Sequence, residues 1–262
     1  MVVRRIREHV TTQNWFAVGI DLVIVVVGVF LGTQVNNWNE ERLNRDRAAD
    51  YRSRLVEELD FNARQYALQH AYYRQAKAYG LQALDDLAGR TPLEDNDFLI
   101  AAYQLTQMDT TRAKTGVYDE MKGSGLVDRL GDPETQAVAS DFYLTVEVAQ
   151  RSVEATFPYR TLLREAMPYP VQSRIRDACG DRNVFYQKRL VGIRLVVPCM
   201  LIIDPVEVAT ATKSVRAIPD LERQMTRYVA SLDEKLVNLA LGAQQARDFR
   251  NRLLGDPLPG ST

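Results

Sequence analysis

The stretch FAVGIDLVIVVVGVFLGTQV, running from Phe16 to Val35, sets the reading of everything around it. Asp21 is its only charged residue. As a helix rising about 1.5 Å per residue it reaches roughly 30 Å, the hydrocarbon thickness of a bilayer. Trp15 and Trp38 bracket it. Indole rings settle at the two membrane–water interfaces, so both tryptophans are expected to act as interface anchors. A buried globular helix of this length would carry a polar face, and this one has none. Arg4, Arg5 and Arg7 give the preceding residues the look of a signal-peptide head. Yet the apolar stretch outlasts a usual signal core and runs into Gln34, Val35, Asn36, Asn37 and Trp38, where a cleavage site would need small residues. An uncleaved anchor fits better.

Orientation follows from the flanks. Three arginines precede the span, and three, Arg42, Arg45 and Arg47, follow it. Counting acids breaks the tie: Glu8 leaves the head at +2, while Glu40, Glu41, Asp46 and Asp50 bring residues 36–50 to −1. The positive-inside tendency then places the head in the cytoplasm. The expected division is a short cytoplasmic head at 1–14, a transmembrane helix at 15–38, a helical extracytoplasmic domain at 39–256 and a polar tail at 257–262. Such a head is too short for a cytoplasmic output domain.

The totals alone would hide this. The chain has 262 residues, 33 basic and 34 acidic, for a net charge of −1, with 46% hydrophobic and 26% charged residues. Those are the averages of a soluble globular protein, and they argue against a disordered, collagenous or polytopic chain. They also argue against a nucleic-acid binder, because no basic surplus supplies the electrostatic attraction. Two cysteines are too few for a disulfide scaffold, and two histidines make a histidine-rich metal site an unattractive reading.

Beyond the span the pattern is helical. From Asn39 to about Leu87 there is no proline, and Tyr51, Leu55, Leu59, Tyr66, Tyr73, Leu84 and Leu87 recur at steps near 3.5, with gaps at Asn62 and His70. This predicts one long amphipathic helix, bent at Gly80 if anywhere and ended by Gly89. Thr91, Pro92, Leu93 and Glu94 have the chemistry of a capped helix start, with helix to about Met108. A further helix is expected around Ala113 to Lys122, and another after the cap pair Asp132–Pro133, along Val138, Phe142, Val146, Ala149, Val153 and Phe157. Ile218, Leu221, Met225, Tyr228, Leu232, Leu236, Leu239, Ala243, Ala246, Phe249 and Leu253 predict a long last helix packed antiparallel to the first. Leu190 to Ile203 fits a buried helix, an extended segment or a small hairpin equally well. The expected fold class is all-α: one N-terminal transmembrane helix continuing into a long-helix bundle.

Three groups are candidates for function. On a helical wheel Ala17, Asp21, Gly28 and Gly32 lie within about 60° of one another. Gly28 and Gly32 form a GxxxG pair, which lets a second helix approach closely, and a carboxylate at Asp21 needs a partner, water or the head-group region. The competing account is a chance glycine pair with Asp21 reaching for the interface. Cys179 and Cys199 would close a loop of about 20 residues as a bridge, worth roughly 3 kcal/mol; otherwise they are two small buried hydrophobes. Tyr118 to Gly125 offers a tyrosine, carboxylates, a lysine and Ser124 near a glycine turn, but reads more simply as a helix with a glycine C-cap. No phosphate-binding glycine loop, dinucleotide fingerprint, HExxH helix or paired-cysteine zinc spacing occurs.

Gly28, Gln34, Asn36, Asn37, Trp38, Asn39 and Glu40, following the apolar span, resemble an uncharacterised bacterial family of membrane-anchored proteins, the domain-of-unknown-function 6090 family. Glu120 to Gly125 looks like a second signature of that family. The resemblance implies a short head, one span and a mostly helical remainder, in a bacterial inner membrane. It implies no activity. The expectation is a single-pass protein whose partners are the lipid bilayer and, through the span, a second copy or another membrane protein, with no cofactor and no nucleic acid. The alternatives are a periplasmic hydrolase built on Tyr118, Glu120 and Ser124, or a ligand-sensing bundle with an apolar-lined pocket.

Overall fold

A computed structural model describes residues 15–155 and 157–255; the predicted head, 1–14, and tail, 257–262, lie outside the described residues. The protein is mostly helical. In chain order it has α1 (Trp15–Leu87), α2 (Asp95–Leu105), α3 (Gly116–Gly123), a single 3-10 turn (Val127–Arg129), α4 (Pro133–Glu154), α5 (Pro158–Ala166), α6 (Tyr169–Cys179), β1 (Arg182–Tyr186), β2 (Arg189–Arg194), α7 (Pro205–Arg216) and α8 (Leu221–Leu254). The chain divides into two units, residues 1–50 and 51–262, and α1 contributes to both.

In the first unit α1 carries the apolar stretch with nothing packed on it. Leu22, Val29 and Phe30 are 64%, 64% and 59% exposed, and Trp38 is 64% exposed. Among the described residues this is the one helix long and apolar enough to cross a membrane. A core helix of a soluble protein would pass the same test of length and composition, but it would be covered. This one is bare.

In the second unit the expected stripe of α1 faces inward: Leu55, Leu59, Tyr66 and Tyr73 are buried. The helix ends where Gly89 adopts φ +68, with its N–H donating to Asp86 O (2.9 Å) and that of Arg90 to Asp85 O (2.9 Å). This is the glycine C-cap that closes a helix by returning two free carbonyls to donors. Gly80 does not interrupt α1. Its role is close approach: a Cβ there would lie 2.7 Å from Leu105 Cδ1 and 2.8 Å from Val229 Cγ2, so α2 and α8 press on α1 at that point. Gly80→Ala is expected to cost about 2 kcal/mol through overpacking, read as a lowered urea midpoint; an unchanged midpoint would show that the neighbours simply move aside.

Helix α8 runs antiparallel to this part of α1, as its periodicity predicts. Arg52 Nε donates to Leu253 O (2.8 Å), Gly242 lies against the Tyr66 ring, Lys77 pairs with Asp233, and Val229 meets Gly80. Helix α4 packs on α8 in the same sense, with Phe142 and Phe249 rings 6.1 Å apart and Arg252 Nε donating to Thr135 Oγ1 (2.8 Å). Asp132 caps α4 as expected, accepting from the Thr135 amide (2.8 Å) and hydroxyl (2.6 Å). Those bonds, the hydroxyl's first, hold its carboxyl down at about 2.

Helix α2 is the centre of the body. Every residue from Phe98 to Leu105 is buried, so it is enclosed on all sides. Tyr159 Oη of α5 donates to Ala102 O (2.8 Å), Gln104 Nε2 donates to Cys179 O (2.8 Å), and Arg216 of α7 lies over the Phe98 ring.

Three expectations need correction. Helix α2 begins at Asp95, and Glu94 at its N-cap makes no side-chain cap. Asp86 at the end of α1 instead takes up the Leu93 N–H (2.9 Å), so Thr91–Glu94 bridges two helices without starting one. The helix then stops at Leu105, and residues 107–115 carry no regular structure; side chains of α1 bond the backbone at Asp109, Thr111 and Lys114. Finally, the all-α assignment omits a small antiparallel hairpin, β1–β2, with a register irregularity at Val184/Phe185. Its turn residues Gln187 and Lys188 both have positive φ, 48° and 64°. That is the mirror-image turn hairpins favour, here without the usual Asn or Gly.

Candidate functional site

Two regions bear on function, one in each unit. In the first unit Asp21, Gly28 and Gly32 share one face of α1, as the helical wheel requires; the side chains of Ala17 and Trp15 lie outside the described residues. A Cβ at Gly28 or Gly32 would meet nothing within 4 Å. The face is therefore small, smooth and uncovered. Asp21 is exposed, while Thr33 satisfies its hydroxyl internally on Phe30 O (2.8 Å). Asp21 is the charged residue of this face.

In the second unit the polar residues of α1 that interrupt its apolar stripe fasten the irregular segment 107–115 and the first turn of α3. Glu58 Oε2 accepts from Val117 N–H (2.9 Å) and its Oε1 from the Tyr143 hydroxyl (2.8 Å). Asn62 takes the Lys114 N–H on Oδ1 and donates Nδ2 to the Lys114 carbonyl, both at 2.7 Å. Gln69 Nε2 donates to Thr111 O (2.8 Å), and the Tyr73 hydroxyl donates to Asp109 O (2.9 Å) while accepting from Asp109 N–H (3.1 Å). Positions 58, 62, 69 and 73 step up the helix as 117, 114, 111 and 109 step down the segment. Asp109 folds its carboxylate onto the Thr111 amide (2.9 Å) and hydroxyl (2.7 Å), and burial raises its pKa. The gap at Asn62 in the apolar stripe was the visible signal for this ladder.

The tyrosine–serine group behaves as a helix end. Ser124 Oγ donates to Met121 O (2.9 Å); Gly125, at φ +70, sends its N–H to Lys122 O (3.2 Å), and Leu126 sends its N–H to Met121 O (3.1 Å). Glu120 pairs with Arg54 (2.6 Å), and Tyr118 stacks on Tyr143 at 3.9 Å. Ser124 and Glu120 are exposed and converge on no common point. The bond made by Ser124 Oγ among the described residues goes to a carbonyl of its own helix, which is the arrangement of a helix cap.

Cys179, the last residue of α6, is bonded to Cys199, with Cα atoms 5.3 Å apart. The bridge pins the chain after β2 to the body. Tyr79 accepts the Cys199 N–H (3.3 Å), and Asn96 bonds both Leu201 O (2.8 Å) and Ile203 N–H (3.2 Å). Beside it is a cleft of about 530 Å³ lined by Gln75, Tyr79, Leu93, Asp97, Ile100 and Pro198 among others.

One buried group escaped the periodic reading. Lys235 stands on the inner face of α8, 1% exposed, while its neighbour Leu236 is only partly covered. Its Nζ rests 4.4 Å from the Tyr73 ring centroid and has no hydrogen-bond partner among the described residues. Burial brings its pKa down to about 8. No family model, curated protein or solved structure matches the chain, so the resemblance at Gly28 to Glu40 carries none of the functional argument.

Proposed function

We propose that the protein is a single-pass membrane protein anchored by residues 15–38, acting through contact with another helix in the bilayer. The observation that carries this is the uncovered Asp21–Gly28–Gly32 face on a helix whose whole apolar window is exposed. The partner is a second copy or another membrane subunit. Without the hydrophobic effect to drive association in lipid, close backbone approach at glycines and a shared polar group are what hold helices together. Gly28→Leu and Gly32→Leu are expected to reduce the signal of an in-membrane association assay, and Asp21→Leu to release a partner that co-purifies in mild detergent. Unchanged association in all three variants would refute the reading.

The body is assigned to the periplasmic side of a bacterial inner membrane. The +2 head supports this, and the Cys179–Cys199 bridge adds an independent argument, because disulfides persist in oxidising compartments. Activity of a cytoplasm-specific reporter fused at the C-terminus would overturn it. The hydrolase reading loses its support, since Tyr118, Glu120 and Ser124 are each engaged in packing or capping.

A further inference from the structure

The cleft of about 530 Å³ beside the Cys179–Cys199 bridge has the size of a small-molecule site, for which roughly 300–1,000 Å³ is usual. Three separate stretches of chain build it: Gln75 to Gln82 of α1, residues 91–100 leading into α2, and Val197 to Cys199 after β2. The last of these has no regular structure, and two bonds keep it in place. One is the disulfide, and the other is the Cys199 N–H donated to Tyr79 Oη (3.3 Å). The third wall is therefore tied covalently to the body.

The lining has a definite chemistry. Leu93, Ile100, Val197, Pro198 and the Tyr79 ring make it largely apolar, and Gln82 and Thr91 add neutral oxygens. Its one charged residue is Asp97, which is exposed. Among the described residues that carboxylate has no cationic partner; it accepts from Asn96 Nδ2 at 3.4 Å. The neighbouring cations are taken. Arg90 is paired with Asp85 (2.7 Å), and Arg216, over the Phe98 ring, with Asp86 (2.7 Å). From Thr91 to Thr111 the sequence has no lysine or arginine, while Glu94 and Asp95 stand just before Asp97. Asp97 lies in the first turn of α2, whose dipole offsets about half a charge at most, so the lining keeps a negative excess. An accessible carboxylate beside apolar walls, with no fixed cation in the lining, selects a ligand that brings its own positive charge on an apolar body.

We propose that this cleft binds a small organic monocation, a primary ammonium carried on an apolar body, with the ammonium on the Asp97 carboxylate and the body against Leu93, Ile100 and Pro198. The site is independent of whether the membrane helix associates.

Phenethylamine titrated into the full chain in neutral detergent micelles, against empty micelles, tests it by calorimetry. Saturable binding is expected in the wild type. It should weaken about tenfold or more in Asp97→Asn, which keeps the shape of the side chain but removes the charge-assisted bond. Ala78 is exposed and lines the cleft, so Ala78→Trp narrows it without touching the carboxylate and should weaken binding as well. Circular dichroism checks that both variants are folded. Phenethyl alcohol and phenylacetate should not compete. The proposal is overturned by absence of saturable phenethylamine binding to the wild type, by equal affinity in either variant, or by phenethyl alcohol matching phenethylamine, which would show an apolar crevice with no selectivity for a cation.

Discussion

Asn62→Leu is expected to lower the stability of the body by about 3 kcal/mol. The substitution keeps nearly the same volume, so the cost is not a cavity. It comes from Lys114, whose N–H and C=O both bond the Asn62 amide at 2.7 Å. A buried donor or acceptor left without a partner costs about 1–3 kcal/mol, and this change orphans one of each. The effect should also be local. Amide exchange of residues 109–117 should accelerate ahead of that of α2, since the segment is held to α1 chiefly by these side chains. A urea midpoint within 0.3 M of wild type, roughly 0.5 kcal/mol for a body of this size, would mean that water replaces the amide without penalty.

Lys235 controls the second large effect, and it appears in the pH dependence. Below about pH 8 the lysine is protonated in both folded and unfolded chains, and the folded state bears the full cost of the buried charge. Between about 8 and the ordinary lysine value of 10.5 the folded state releases the proton while the unfolded chain keeps it. The unfolded state then binds more protons, so stability rises with pH. Between pH 7.5 and 9.5 the rise should be about 2 kcal/mol, at roughly 1.4 kcal/mol per unit. Above pH 10 the buried tyrosines reverse the trend: their folded pKa values are raised, so the unfolded chain loses protons first. Lys235→Met should be more stable than wild type at pH 7 by about 3 kcal/mol and should lose the rise. Parallel profiles for the two proteins would show that the charge is compensated in solution.

Much of the architecture can be read directly from residue patterns. The apolar run needs no context, because no soluble neighbour covers it. The Asp132–Pro133 cap and the spacing of α8 are local, so they survive in the sequence. What is not legible depends on partners distant along the chain. The break at Leu105 is set by α1, which offers Asn62, Gln69 and Tyr73 to a segment with no strand pattern of its own. The turn at Gln187–Lys188 is forced by the pairing of β1 with β2 and lacks the residues that announce such turns. Lys235 sits among apolar neighbours at helical spacing, and a reading that counts only hydrophobic steps passes over it in favour of Leu236. The functional face on α1 shows the converse. Ala17, Asp21, Gly28 and Gly32 define it from sequence, and the structure adds that nothing among the described residues covers Gly28 or Gly32.

The enclosed helix α2 has a consequence for how the body is made. Its apolar surface from Phe98 to Leu105 is covered by α5, α6 and α7, which all follow it along the chain, together with α1, which precedes it. As the chain emerges from N- to C-terminus, α2 therefore waits exposed until α7 arrives. A truncation before Pro205 would leave this buried helix to whatever chaperone or neighbouring chain reaches it first.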